Sequence, residues 1–156
     1  MLQRVQSIFL FLAAIFNGLL FGFPLWGFEH ESLPELAYIY KITVSDALDT
    51  SKLQYFQFGA IAIVAILVLL SLTVIFLYKN RSLQMRLVRL CMLLETGLLV
   101  VIFFYMDAFK KMPEMGFNMS YKIGIFLPIA AALMYFISNR FIRKDEKLVK
   151  SAERFR

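Results

Sequence analysis

Glu95 is the charged side chain set deepest in an apolar run, Leu90–Met106. It stands beyond Arg89 by six residues, a depth of roughly 9 Å at the helical rise. A charge at the centre of a membrane helix costs about 2.5–3.5 kcal/mol, and less toward the interface. Either a partner offsets that cost or the carboxyl carries a proton. Arg89 is turned about 120° away on the same helix, so a partner has to come from another segment. Thr73, Tyr135 and Ser138 reach a comparable depth in other apolar runs and can hydrogen-bond. Asn17 adds an amide near the middle of the first run, where it also needs a partner. Two chemistries fit this set. One is a titrating carboxyl in a small proton-coupled carrier. The other is a neutral or hydrogen-bonded glutamate that locks a helix bundle. A transport route needs polar groups across the whole membrane, and besides Glu95 the run centres offer little but Asn17, Ser71, Thr73 and Thr96.

Other chemistries lack their atoms. The single cysteine, Cys91, rules out an internal disulfide and the paired-thiol chemistry of small quinone-linked thiol oxidases. The single histidine, His30, leaves no pair of axial imidazoles for a haem. His30 sits between Glu29 and Glu31, but neighbours on a loop rarely converge on one ion, so we expect no metal and no cofactor. No nucleophile–base pair or phosphate-binding loop can be assembled either. The expectation is a non-enzymatic protein with no catalytic residues.

The elements that must position Glu95 are long and apolar. Hydrophobic residues make up 60% of the 156 residues, against about 45–50% in a soluble domain. Charge-free runs cover Val5–Phe28, Leu53–Tyr78 and Ile123–Asn139. A hydrocarbon core needs roughly 20 helical residues to cross, and inside it only helices or closed barrels satisfy their backbones. The expected fold is therefore all-α: one polytopic membrane domain over 1–156 with four transmembrane helices, at about 5–27, 54–78, 88–109 and 121–142. Span one reads as a retained anchor, since Phe23-Pro24-Leu25-Trp26-Gly27 lacks a small-x-small cleavage pattern. Its Ala14, Gly18 and Gly22 recur every fourth residue. That spacing suits either a homo-oligomer seam or close packing within the chain's own bundle. Pro24 and Trp26 mark the outer interface, span three starts ahead of the bilayer near Ser82, and Pro128 should kink span four.

Outside the spans, loops 28–53 and 110–120 face one side. Leu36, Tyr38, Tyr40, Ile42 and Val44 alternate with other residues at the period of a strand. With extended-looking residues around Phe117–Tyr121, this predicts a small outer cap. The tail, 143–156, continues as an amphipathic helix, with Phe141, Leu148, Ala152 and Phe155 spaced for one face and Glu146 placed ahead of Lys150.

Charge orients the bundle. Arg4, the segment carrying Lys79, Arg81, Arg86 and Arg89, and the tail together hold 12 basic residues against Asp145, Glu146 and Glu153. The opposite loops hold five lysines against seven acids. By the positive-inside rule both termini are cytoplasmic, N-in and C-in. The same rule accounts for the basic balance without a nucleic-acid partner.

Both ends of the chain are motif-like. The opening Met1-Leu2-Gln3-Arg4-Val5-Gln6-Ser7-Ile8-Phe9-Leu10 and the closing Lys144-Asp145-Glu146-Lys147-Leu148-Val149-Lys150-Ser151-Ala152-Glu153-Arg154-Phe155-Arg156 resemble the domain of unknown function 4293 family. That resemblance implies a small four-span inner-membrane protein of Bacteroidetes, and it implies no activity. Because its terminal motifs are both expected on the cytoplasmic side, it directs attention to docking of a partner or lipid through Gln3, Arg4, Gln6, Lys144, Lys147, Lys150 and Arg154. The expected partners are the bilayer and a membrane or cytosolic protein. The expected role is an accessory or scaffold subunit, with the Glu95 carrier as the alternative.

Overall fold

A computed structural model of the chain describes residues 2–29, 34–37, 51–77, 80–110 and 118–154. It is mostly helical. Helix α1 runs Leu2–Leu19, α2 Ser51–Phe76, α3 Arg81–Lys110 and α4 Phe126–Arg154. Three short strands, β1 Trp26–Glu29, β2 Pro34–Ala37 and β3 Asn118–Tyr121, and a 3-10 turn over Ile123–Ile125 complete the described elements.

Three helical stretches are long and apolar enough to cross a membrane: Phe58–Phe76, Ser82–Asp107 and Ile123–Val149. The apolar part of α1, Val5–Leu19, is shorter, rising about 22 Å against a hydrocarbon core of roughly 30 Å. The distribution of polarity in the bundle is consistent with a membrane protein. Phe76 is 78% exposed and Leu93 72%, while Gln6, Asn17, Ser71, Gln84, Glu95, Ser138 and Asn139 are buried. A soluble monomer rarely exposes apolar surface on that scale.

The helices form a ring in chain order. Helix α1 packs on α2 and α4, and α3 packs on the same two neighbours, so α1 faces α3 across the bundle. Leu10, Leu67, Leu98 and Tyr135 are fully buried at its centre. Helix α3 starts where Asn80 caps it: Leu83 N–H donates to Asn80 Oδ1 at 3.3 Å, the arrangement that satisfies an orphan donor of the first turn.

Several boundaries differ from those the sequence suggests. The helix of span one stops at Leu19, not near 27, and the chain then turns through Leu20–Phe23. Trp26 is not an interface ring at a helix end. It lies in β1, fully buried, its ring edge-on to Tyr105 of α3 at 5.4 Å. Helix α3 is helical from Arg81, within a residue of the expected start near Ser82. Pro128 falls in the first turn of α4, where the amide it lacks has no intrahelical acceptor. The reason to expect a mid-helix kink therefore disappears. The tail, by contrast, continues as expected, with α4 running from the span to Arg154 without a break.

The cap is real, but its hub was not anticipated. Strand order is β2-β1-β3, with β1 antiparallel to both neighbours and Trp26 opposite Ala37 on one side and Tyr121 on the other. Residues read as the end of span one thus become the central strand. Of the alternating run only Leu36 falls in a described strand; Tyr38, Tyr40, Ile42 and Val44, like His30, lie outside the described residues. The strand layer is tied to α4 where Lys122 N–H donates to Leu25 O at 3.1 Å and Gly124 N–H to Pro24 O at 3.0 Å. A Cβ on Gly124 would run into the Pro24 carbonyl, with Phe23 O only 2.9 Å away. Glycine is required there by close approach of two backbones.

Candidate functional site

Each helix contributes one polar side chain to a single buried cluster: Asn17 from α1, Ser71 from α2, Glu95 from α3 and Tyr135 from α4. All four are 0% exposed. Asn17 is the hub. Its Nδ2 donates to Glu95 Oε2 at 3.0 Å, to Ala13 O at 3.2 Å and to Tyr135 Oη at 3.3 Å. Ser71 Oγ donates to Leu67 O at 2.6 Å and lies 2.5 Å from Tyr135 Oη. Serine has one hydroxyl proton. With that proton directed at Leu67, the Tyr135 hydroxyl is the donor to Ser71. The bonds therefore run one way, from the Asn17 amide through Tyr135 and Ser71 to the α2 backbone.

On the other branch, Glu95 accepts from Asn17 through Oε2. Among the described residues, Glu95 Oε1 and Asn17 Oδ1 have no hydrogen-bond partner. Arg89 does not serve Glu95; it is exposed and its Nε donates to Met85 O at 3.3 Å. The cluster thus binds all four helices through neutral donors and one carboxyl. No group of three His, Cys, Asp or Glu among the described residues is placed to hold a metal. Cys91 is buried and unpaired in a disulfide sense.

Of the polar residues singled out from sequence, Asn17, Glu95 and Tyr135 meet. Thr73 does not: it is exposed and its hydroxyl bonds back to Leu69 O at 2.8 Å. Its neighbour Ser71 takes the inward position, since two residues rotate a helix by about 200°. Ser138 is buried but lies apart, donating to Gln6 O at 3.4 Å. Gln6, expected on the docking face, is itself in the core, 2% exposed. The small-residue stripe dissolves as well. Ala14 is buried, whereas Gly18 is exposed with open space around it and Gly22 lies past the end of α1.

A second feature lies farther along α4. Phe136, Asn139, Arg140, Arg143, Lys144 and Lys147 line a groove of about 360 Å³. Arg140, Arg143, Lys144 and Lys147 are all exposed. The expected docking residues Lys144 and Lys147 are therefore grouped with two arginines not singled out beforehand. The i, i+3, i+4, i+7 spacing from Arg140 is the signal that would have found them. The side chains of Gln3, Arg4, Lys150 and Arg154 lie outside the described residues.

The sequence pattern of the family described as Domain of unknown function (DUF4293) matches residues 2–155. The chain belongs to that family. No curated protein matches it. Within this DUF4293 chain, the match spans both the central cluster and the cationic groove, together with the helices that carry them.

Proposed function

We propose that this protein is a non-enzymatic accessory or scaffold subunit of a bacterial inner membrane. In this proposal all four helices are inserted, both termini are cytoplasmic, and a partner docks on the basic face of the tail. Charge supports the orientation, with 12 basic residues on the proposed inner side. The short α1 crosses with its end at the level of the strand cap, which shares that depth with the outer headgroups.

The observation that carries the scaffold reading is the central cluster. Asn17, Ser71, Glu95 and Tyr135 are all fully buried and bonded to one another or to backbone. Such an arrangement joins helices, and Thr73 and Thr96, polar residues close in sequence to Ser71 and Glu95, are exposed and bonded to their own helix backbones. Chemistry available for a partner is concentrated in the exposed cations of α4.

The alternative is a small proton-coupled carrier. It is favoured by Glu95 Oε1, a buried carboxyl oxygen without a partner among the described residues. Purification in mild detergent followed by mass spectrometry separates the two. A stoichiometric co-purifying protein lost on deletion of Asp145–Arg156 supports the scaffold. A solitary protein whose Glu95→Gln variant folds normally yet loses a pH-driven flux in vesicles supports the carrier and defeats the scaffold.

A further inference from the structure

One face of α4 changes character along its length. Phe126, Ile129, Leu133 and Phe136 are exposed, and so are Arg140, Arg143, Lys144 and Lys147. At 100° per residue all eight fall within about 60° of Arg140 around the helix. They form a single stripe, apolar in its first half and cationic in its second. From Arg140 back to Ile129 the helix rises about 16 Å, close to the depth of one leaflet of a roughly 30 Å hydrocarbon core. Asp145 and Glu146 stand some 120–140° away from the stripe and are half-buried. The cationic half is also concave: the groove of about 360 Å³ has Phe136 and Asn139 beside its four cations, a volume within the range of small-ligand sites.

We propose that this stripe is a binding site for one anionic phospholipid. Its phosphate lies among Arg140, Arg143, Lys144 and Lys147, and an acyl chain runs along Phe136, Leu133 and Ile129. Charge and position select this occupant. Guanidinium groups pair phosphate oxygens in a bidentate way, and cations just beyond a span are placed for headgroups of the cytoplasmic leaflet. A soluble acidic partner would use the cations but leave the apolar half of the stripe without a role. The proposal rests on α4 crossing the membrane and is independent of any protein partner.

The test uses the full-length protein in mild detergent, followed by native mass spectrometry during titration with phosphatidylglycerol or phosphatidylcholine. Phosphatidylglycerol should give a retained adduct at concentrations where phosphatidylcholine gives little. Glycerol 3-phosphate, which carries the headgroup charge without the chains, should not displace it. The R140Q/R143Q and K144Q/K147Q variants should each weaken binding, by roughly fivefold per cation removed. R86Q/R89Q, neutralising exposed cations at the start of α3, should leave it unchanged. Equal retention of the two lipids in the unaltered protein overturns the proposal without any variant. So does displacement by glycerol 3-phosphate or polyglutamate, or an R86Q/R89Q loss as large as that of the α4 variants. Absence of a co-purifying protein would count against the scaffold alone.

Discussion

Asn17→Ala should be the most damaging single change to the central cluster, and the asymmetry of the bonds says why. The Asn17 amide has two protons and three acceptors within 3.3 Å. Removing the Glu95 side chain leaves Ala13 O and Tyr135 Oη to take both protons, so the amide stays satisfied. Removing the Asn17 side chain strands Glu95 Oε2, which is fully buried, without its donor. A stranded buried polar group costs about 1–3 kcal/mol, and more when it is charged. We therefore expect Asn17→Ala to cost about 2–3 kcal/mol. Glu95→Gln keeps an acceptor for the same amide and should change stability by less than about 1 kcal/mol. Reversible unfolding in mixed micelles, run as a double-mutant cycle of Asn17→Ala with Glu95→Ala, measures the coupling. Interhelical hydrogen bonds in membranes couple by about 0.6 kcal/mol on average and 1.7 at most, and the value here should fall in that window. Additive effects, agreeing to within about 0.5 kcal/mol, would refute the bond as a stabilising link. So would a Glu95→Gln variant as unstable as Glu95→Ala.

Gly124→Ala should destabilise by about 1–3 kcal/mol through overpacking against the Pro24 and Phe23 carbonyls. Gly97→Ala, inside α3 with nothing near its added methyl, should stabilise by up to about 1 kcal/mol; thermal unfolding in detergent reads both signs. Ser71→Ala removes the acceptor of the Tyr135 hydroxyl and should cost about 1–2 kcal/mol, whereas Thr73→Ala on the exposed side of α2 should stay within about 0.5 kcal/mol. Cys91, buried and the only thiol, should resist maleimide labelling in the folded protein and react fully once it is denatured; labelling of the native state would contradict its placement.

What the sequence made legible follows from where its signal lies. Hydropathy located the helices. The cost of a charge in hydrocarbon picked out Glu95 and pointed to Thr73, Tyr135 and Ser138 at its depth, of which Tyr135 is in the cluster. Asn17, the donor to Glu95, stood out only separately, as a mid-span amide. Hydropathy was blind where every residue is apolar. Leu19, Leu20, Phe21 and Gly22 look alike on a hydropathy scale whether they continue a helix or leave it, so the end of α1 and the strand at Trp26 were hidden. In α2 the run Ile61–Leu70 is aliphatic all round. With no polar stripe to mark the outer face, depth alone selects Thr73 and passes over Ser71, although rotation turns Ser71 inward and Thr73 outward. Gln6 is placed on the docking side by the resemblance of the terminal motif, together with Gln3 and Arg4. Its burial depends on α4 covering that turn through Ser138, a long-range contact that no local pattern encodes.

That blindness has a physical counterpart in the molecule. Lipid tails are as apolar as leucine, so apolar packing supplies little preference among registers of one helix against another. The exposed and buried faces of α2 illustrate it: Leu69 is 66% exposed and Leu67 0%, yet the two side chains are identical. Sliding α2 by one residue would put Ile66 or Val68 in the place of Leu67 at small cost. The same slip would carry Ser71 out of reach of Tyr135, leave a buried hydroxyl proton without an acceptor, and send the penalty through Asn17 to Glu95. One polar side chain per helix is the smallest set that makes all four registers mutually dependent. On this argument the glutamate that most suggests transport is placed where a bundle without a water-driven core needs a fixed point.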